Sequence, residues 1–158
     1  MPNYKTVFFT LGMLQIILGI FMIIPIIIQY VYGEFDSSFV IASVITLVFG
    51  ILFVISNLDY DKKINLHQAF LLTSLSWISI AIFGALPLFF SNLNLSFTDA
   101  FFESMSGITT TGSTIITNLE NAPKSILLWR ALLQWLGGIG IIVMAITLMP
   151  IMNVGGML

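Results

Sequence analysis

The feature that most constrains this 158-residue chain is how far apart its charges lie. Between Lys5 and Glu34 stand 28 residues without a charge, and between Asp36 and Asp59 another 22. About 20 apolar helical residues cross a hydrocarbon layer roughly 30 Å thick, so each stretch is long enough to span a bilayer. From Lys63 to Asp99 the charge-free run is 35 residues, in which Leu66 to Phe90 reads as a third span before the polar turn "SNLNLS". A fourth span runs from Ser125 to Met149 and is expected to stop at Pro150.

Composition agrees with that count. Charged residues make up 8% of the chain, against roughly 25% in a soluble globular domain, and 58% are hydrophobic. The expected fold class is an all-α membrane protein with four transmembrane helices. The first span is read as a retained helix. Its apolar run is about twice the usual core of a signal peptide, and no A-x-A-like cleavage site follows. Lys5, Lys62 and Lys63 fall on one side of four alternating spans. Glu34, Asp36, Asp99, Glu103 and Glu120 fall on the other with Lys124 and Arg130. Basic residues concentrate on the cytoplasmic face, so the N-terminus is expected there, in a multi-pass protein of the cell (inner) membrane.

Several functions are excluded early. A net charge of −2 argues against nucleic acid and against a polybasic membrane-surface mode. With no cysteine, a single histidine (His67, read as an interface residue), no P-loop and no scaffolded carboxylate pair, neither catalysis nor a bound cofactor finds support. "WLGGIGI" looks like a nucleotide fingerprint, but Gly137, Gly138 and Gly140 follow no strand and lie within an apolar span. Small residues there let helices approach closely. Ser74, Ser76 and Ser79 give the third span a polar face for helix contacts, and Pro25 and Pro87 are expected to kink their helices.

The segment between the third and fourth spans carries the chemistry. "SFTDAFFESMSG" has a helix-start signature, with Ser96 or Thr98 as N-cap, Asp99 and Glu103 in the early turns and Gly107 placed to end it. A helix over residues 97–107 is roughly 15 Å long, half the hydrocarbon thickness, so it enters a membrane without crossing it. The hydroxyl-rich run Thr109, Thr110, Thr111, Gly112, Ser113 follows at once. Irregular backbone at membrane depth is tolerated only where protein buries it or where it lines a watery cavity. A row of backbone carbonyls can replace the water shell of potassium, and a glycine lets successive carbonyls face one way. Residues 109–113 are therefore read as a filter, with potassium at Thr110, Thr111 and Gly112. The competing reading is a Ser/Thr-rich surface turn.

Asp99, Glu103 and Arg130 are read as support for the short helix. Glu103 either anchors it by hydrogen bonds or attracts cations, and Arg130 pairs with Glu103 or Glu120 or snorkels to the interface. Trp129 and Trp135 are candidates for an aromatic belt, Trp129 the better placed of the two.

"FTDAFFESMSGITTTGST", followed by "LLWRALLQWLGGIGIIVMAITLMPI" and "VGGM", resembles the first pore repeat of the Trk/Ktr/HKT superfamily of potassium uptake proteins, most closely the bacterial Trk type. Residues 66–158 carry the resemblance in motif detail. Residues 1–58 match only as a pair of hydrophobic helices like the extra N-terminal pair of Trk-type members. The implied organisation is that pair, a linker at 59–65, a helix–pore-loop–helix repeat at 66–150 and the start of a further repeat at 151–158.

The resemblance implies four such repeats around one axis, each giving one filter segment, with Gly112 as the filter glycine of this one. It also implies a cytoplasmic nucleotide-binding regulatory subunit. A single repeat supplies a quarter of a carbonyl cage. The expectation is therefore a piece of a longer subunit, the alternative being four copies around an axis. A non-conducting membrane module that contributes one repeat to a larger assembly is the competing function.

Overall fold

The computed structural model describes residues 4–34, 36–60 and 64–151, with side chains described through residue 146. Lys62 and Lys63, on which the orientation leans, lie outside the described residues, as does the segment 152–158.

Among the described residues six α-helices follow in order: α1 (Lys5–Phe21), α2 (Ile23–Tyr32), α3 (Ser38–Ser56), α4 (Leu66–Phe90), α5 (Phe97–Ile108) and α6 (Lys124–Ile151). One 3-10 turn at Leu119–Asn121 precedes α6. Among the described residues, four helical stretches are long and apolar enough to cross a membrane, with α1 and α2 counting together as Lys5–Tyr32. All four expected spans are present, and the third has the expected bounds, Leu66–Phe90.

The first span is interrupted at Met22. Pro25 has no N–H to offer the carbonyl four residues back, and the break falls within that turn. Pro87, by contrast, lies inside an uninterrupted α4. Pro150 does not stop the fourth span, which runs through it to Ile151. A proline forfeits one hydrogen bond, and helices in apolar surroundings absorb that loss when neighbouring groups compensate.

Packing follows from small residues. At the α1–α3 crossing a Cβ added to Gly12 would stand 2.8 Å from the Gly50 carbonyl oxygen, and one added to Gly50 would stand 2.9 Å from that of Gly12. The two backbones therefore touch. Ser43 Oγ on α3 donates to the Gly19 carbonyl of α1 at 3.0 Å, and Gln15 Nε2 on α1 donates to Ser79 Oγ on α4 at 2.6 Å. A buried cluster of Met22, Phe39, Leu88, Ala100, Ile126, Trp129 and Leu133 then joins α3 through α6 with the α1–α2 break.

Trp129 is fully buried, its Nε1 donating to the Gly84 carbonyl at 2.9 Å and its ring edge-on to Phe39. It is a core residue, so the belt expectation fails for it. Trp135, 56% exposed, faces outward instead. One helical face decides the difference: six residues along α6 turn the side chain from the bundle interior to its surface.

α5 runs into the bundle between α4 and α6. Ser96 caps it: its Oγ accepts from the Asp99 N–H at 3.2 Å, and Asp99 Oδ2 accepts from the Ser96 N–H at 3.3 Å. That reciprocal pair satisfies two donors and settles the cap on Ser96 rather than Thr98. Gly107 does not end the helix. It is buried within it, where an added Cβ would come within 3.0 Å of Leu133 Cβ, and the helix closes one residue later at Ile108.

Candidate functional site

The site begins where α5 stops. Its twelve residues make a rod about 18 Å long. The rod's last carbonyl, on Ile108, lies against Gly137 so closely that any Cβ there would overlap it. Gly137 is 13 residues into α6, about 20 Å from its start, so α5 delivers the following loop to about the mid-height of α6. The glycine is needed for that close approach.

The loop then reverses. The N–H groups of Thr109 and Thr110 donate to Met105 and Gly107 carbonyls at 2.9 Å each, and those of Thr111 and Gly112 donate to the Ser106 carbonyl at 3.0 and 3.3 Å. Four successive donors are thereby turned back onto α5. Two residues take left-handed backbone, Thr110 at φ 59° and Gly112 at φ 77°. For threonine that conformation is strained, and for glycine it is ordinary. The nearest atom to a Cβ at Gly112 would be Gln134 Nε2 at 3.6 Å, so conformation rather than space requires glycine there.

With the donors turned inward, the carbonyl oxygens of Thr109 through Gly112 accept no hydrogen bond from the described residues. Ser113 stands apart from those four. Its carbonyl accepts from Ser106 Oγ at 2.7 Å, so one of its lone pairs is already engaged with α5. The Thr109 and Thr111 hydroxyls are 2.9 Å apart, and residues 109–113 are all exposed on this chain. A row of unpartnered oxygens without a full negative charge can coordinate a weakly held monovalent cation. Among the described residues, no group of three or more His, Asp or Glu side chains is placed to hold a metal ion.

Glu103 holds the far leg of the loop. It is 1% exposed, and its Oε1 accepts from Thr114 Oγ1 and from the Ile115 N–H at 2.6 Å each. Its Oε2 receives Arg130 Nε at 2.8 Å. Of the two partners weighed for Arg130, Glu103 is the one it meets. A buried carboxylate with a cation and two donors on it is fully engaged, so Glu103 works as an anchor between α5, α6 and the segment after the loop. Asp99 serves at the helix cap, remote from the loop.

One contributor escaped the sequence reading. Glu34, in the link between α2 and α3, places Oε1 2.5 Å from the Lys124 N–H, while its Oε2 accepts from Ser125 N–H at 3.2 Å and Ser125 Oγ at 2.6 Å. Pro123 offers α6 no side-chain acceptor at its start, which is the one local signal that a cap had to come from elsewhere.

The sequence model of the family described as TrkH, cation transport protein, matches residues 35–158. The chain belongs to this family. Among TrkH-type relatives, the Trk system potassium uptake protein TrkI of Halomonas elongata is 44% identical over 93% of this chain and 30% of its own length. The Trk system potassium uptake protein TrkH of Escherichia coli is 38% identical over 98% of this chain and 32% of its own length. The crystal structure of the potassium transporter TrkH from Vibrio parahaemolyticus superposes with a TM-score of 0.91 at 34% identity, covering 99% of this chain and 34% of that one. The chain thus spans about a third of the length of the TrkH relatives it matches.

Proposed function

We propose that this chain supplies one filter segment of a potassium uptake protein, and that a dehydrated potassium ion is held by backbone carbonyls of the loop, with Thr110, Thr111 and Gly112 at the site and Thr109 beside them. The observation that carries this reading is the reversed loop at the end of α5, in which four donors fold back on the helix and four carbonyls accept no hydrogen bond from the described residues. In lipid such groups are tolerated only beside a polar occupant, and an ion that exchanges water for carbonyl oxygens is one. The C-terminal end of α5 adds a partial negative charge near the ion. α5 in this reading is re-entrant, and the remaining coordination comes from further filter segments arranged around one axis. In the same reading Ser113 contributes mainly by fastening the loop to Ser106.

The names of the relatives, potassium uptake proteins and a potassium transporter, support potassium as the substrate. We place the N-terminus on the cytoplasmic side of the cell membrane, following the basic residues, and a cytoplasmic nucleotide-binding regulatory subunit as a partner. Potassium or rubidium flux into proteoliposomes containing the protein with all its filter segments tests the proposal. Gly112→Val forces a branched side chain into left-handed backbone, and flux is expected to fall by about tenfold or more. Wild-type flux from the Gly112→Val protein would overturn the reading of residues 109–113.

A further inference from the structure

We propose that Glu34 is a positioning residue for the candidate filter, a latch through which the N-terminal helix pair sets the height and tilt of α6. The Glu34 backbone is held from both sides. Gly33, at φ 68°, ends α2 in left-handed backbone, the Gly33 N–H returns to Tyr30 and the Glu34 N–H returns to Gln29 at 2.8 Å. This double closure fixes the Glu34 backbone relative to α2. On its other side the Asp36 N–H donates to the Glu34 carbonyl at 3.0 Å, and Asp36 Oδ1 accepts from the Ser38 N–H at 2.9 Å where α3 begins. Glu34 is thus braced between the end of one helix and the start of the next.

From that brace its carboxylate takes three donors of α6, the N–H groups of Lys124 and Ser125 and the Ser125 hydroxyl. Ser125 is 1% exposed, and a negative charge at a helix N-terminus is favourably placed against the helix dipole. Pro123 opens α6, its carbonyl accepting from Leu127, and it has no side-chain acceptor of its own. The first turn of α6 is therefore completed by a residue 90 positions earlier in the chain.

What α6 carries next gives the latch its reach. Arg130, five residues beyond Ser125 and about 7.5 Å further along the axis, grips Glu103, whose other oxygen holds Thr114 and Ile115 directly after the loop. A shift of the α6 start is transmitted to the leg of the loop through that one ion pair. The contacts stand without any functional reading; their consequence for ion selection rests on residues 109–113 being a filter.

Hydrogen–deuterium exchange on the intact protein in lipid nanodiscs separates this from a local helix cap. In Glu34→Ala, amide exchange is expected to rise about tenfold in peptides covering 124–128 and also in those covering 109–116, with Glu34→Gln in between because it keeps one acceptor oxygen. A rise confined to 124–128, or no rise in either, would overturn the proposal. Should Glu34→Ala fail to accumulate, Ser125→Ala removes one donor and leaves Glu34 in place. About threefold faster exchange at 109–116 is then expected, and wild-type exchange there would overturn the latch. Flux on the same proteins keeps the two readings apart. Wild-type protein without potassium flux counts against the proposed function, while the exchange pattern still decides the latch.

Discussion

The α1–α3 seam and the α5–α6 seam both bring backbones into contact through glycine, and they differ in everything else. At the first, Gly12 and Gly50 face each other, and one hydroxyl crosses the seam, Ser43 to the Gly19 carbonyl, while Thr46 Oγ1 turns back to the Ala42 carbonyl of its own helix at 2.7 Å. At the second, Gly137 admits the Ile108 carbonyl, and the same seam holds the ion pair of the buried Glu103 with Arg130, with a loop tied to it. Lipid gives helices no hydrophobic reason to associate, so close packing of small residues is sufficient to hold two spans together. A buried ion pair is a costly addition to such a seam, and here it is spent on fixing irregular backbone. The contrast separates a seam that joins helices from one that shapes a site.

Glu103→Ala probes that contrast most severely. It leaves the Arg130 side chain, 12% exposed, beside an empty partner and releases Thr114 and Ile115, so a loss of about 3 kcal/mol is expected, read as a large drop in the unfolding temperature of the detergent-solubilised protein. A small drop would mean that the second seam is held by packing alone, as the first is. The glycines sharpen the comparison at equal chemistry. Gly137→Ala and Gly12→Ala each insert one methyl into touching backbones, at about 1–3 kcal/mol apiece. Only Gly137→Ala is expected to reduce potassium flux among properly inserted protein, because only it displaces the end of α5. Equal losses of flux would erase the distinction. Least of all, Ser43→Ala removes one inter-helix hydrogen bond and is expected to cost about 0.6 kcal/mol, with flux unchanged.

The spans were legible because charge is expensive in hydrocarbon, which makes a charge-free run a nearly direct reading of a helix. α5 was legible for a different reason: Ser96 and Asp99 stand three apart, the spacing at which a cap and its reciprocal acceptor meet. The pairing of Arg130 was visible only as a choice among partners, since sequence gives no distance between α5 and α6. Trp129 was misread because nearness to a span end says nothing about helical phase, and it is Gly84 and Phe39 that draw the ring inward. For the cap on α6, Pro123 showed only that an acceptor was missing, and nothing pointed to Glu34. Its donors follow 90 residues later, and no periodic pattern links a turn to a helix start across that separation.

That separation also has a meaning in time. Ribosomes add roughly 5–20 residues each second, so the carboxylate of Glu34 leaves the exit tunnel some 5–20 s ahead of the amides it will receive. The acceptor is thus made before its donors, and the order of synthesis alone sets that sequence.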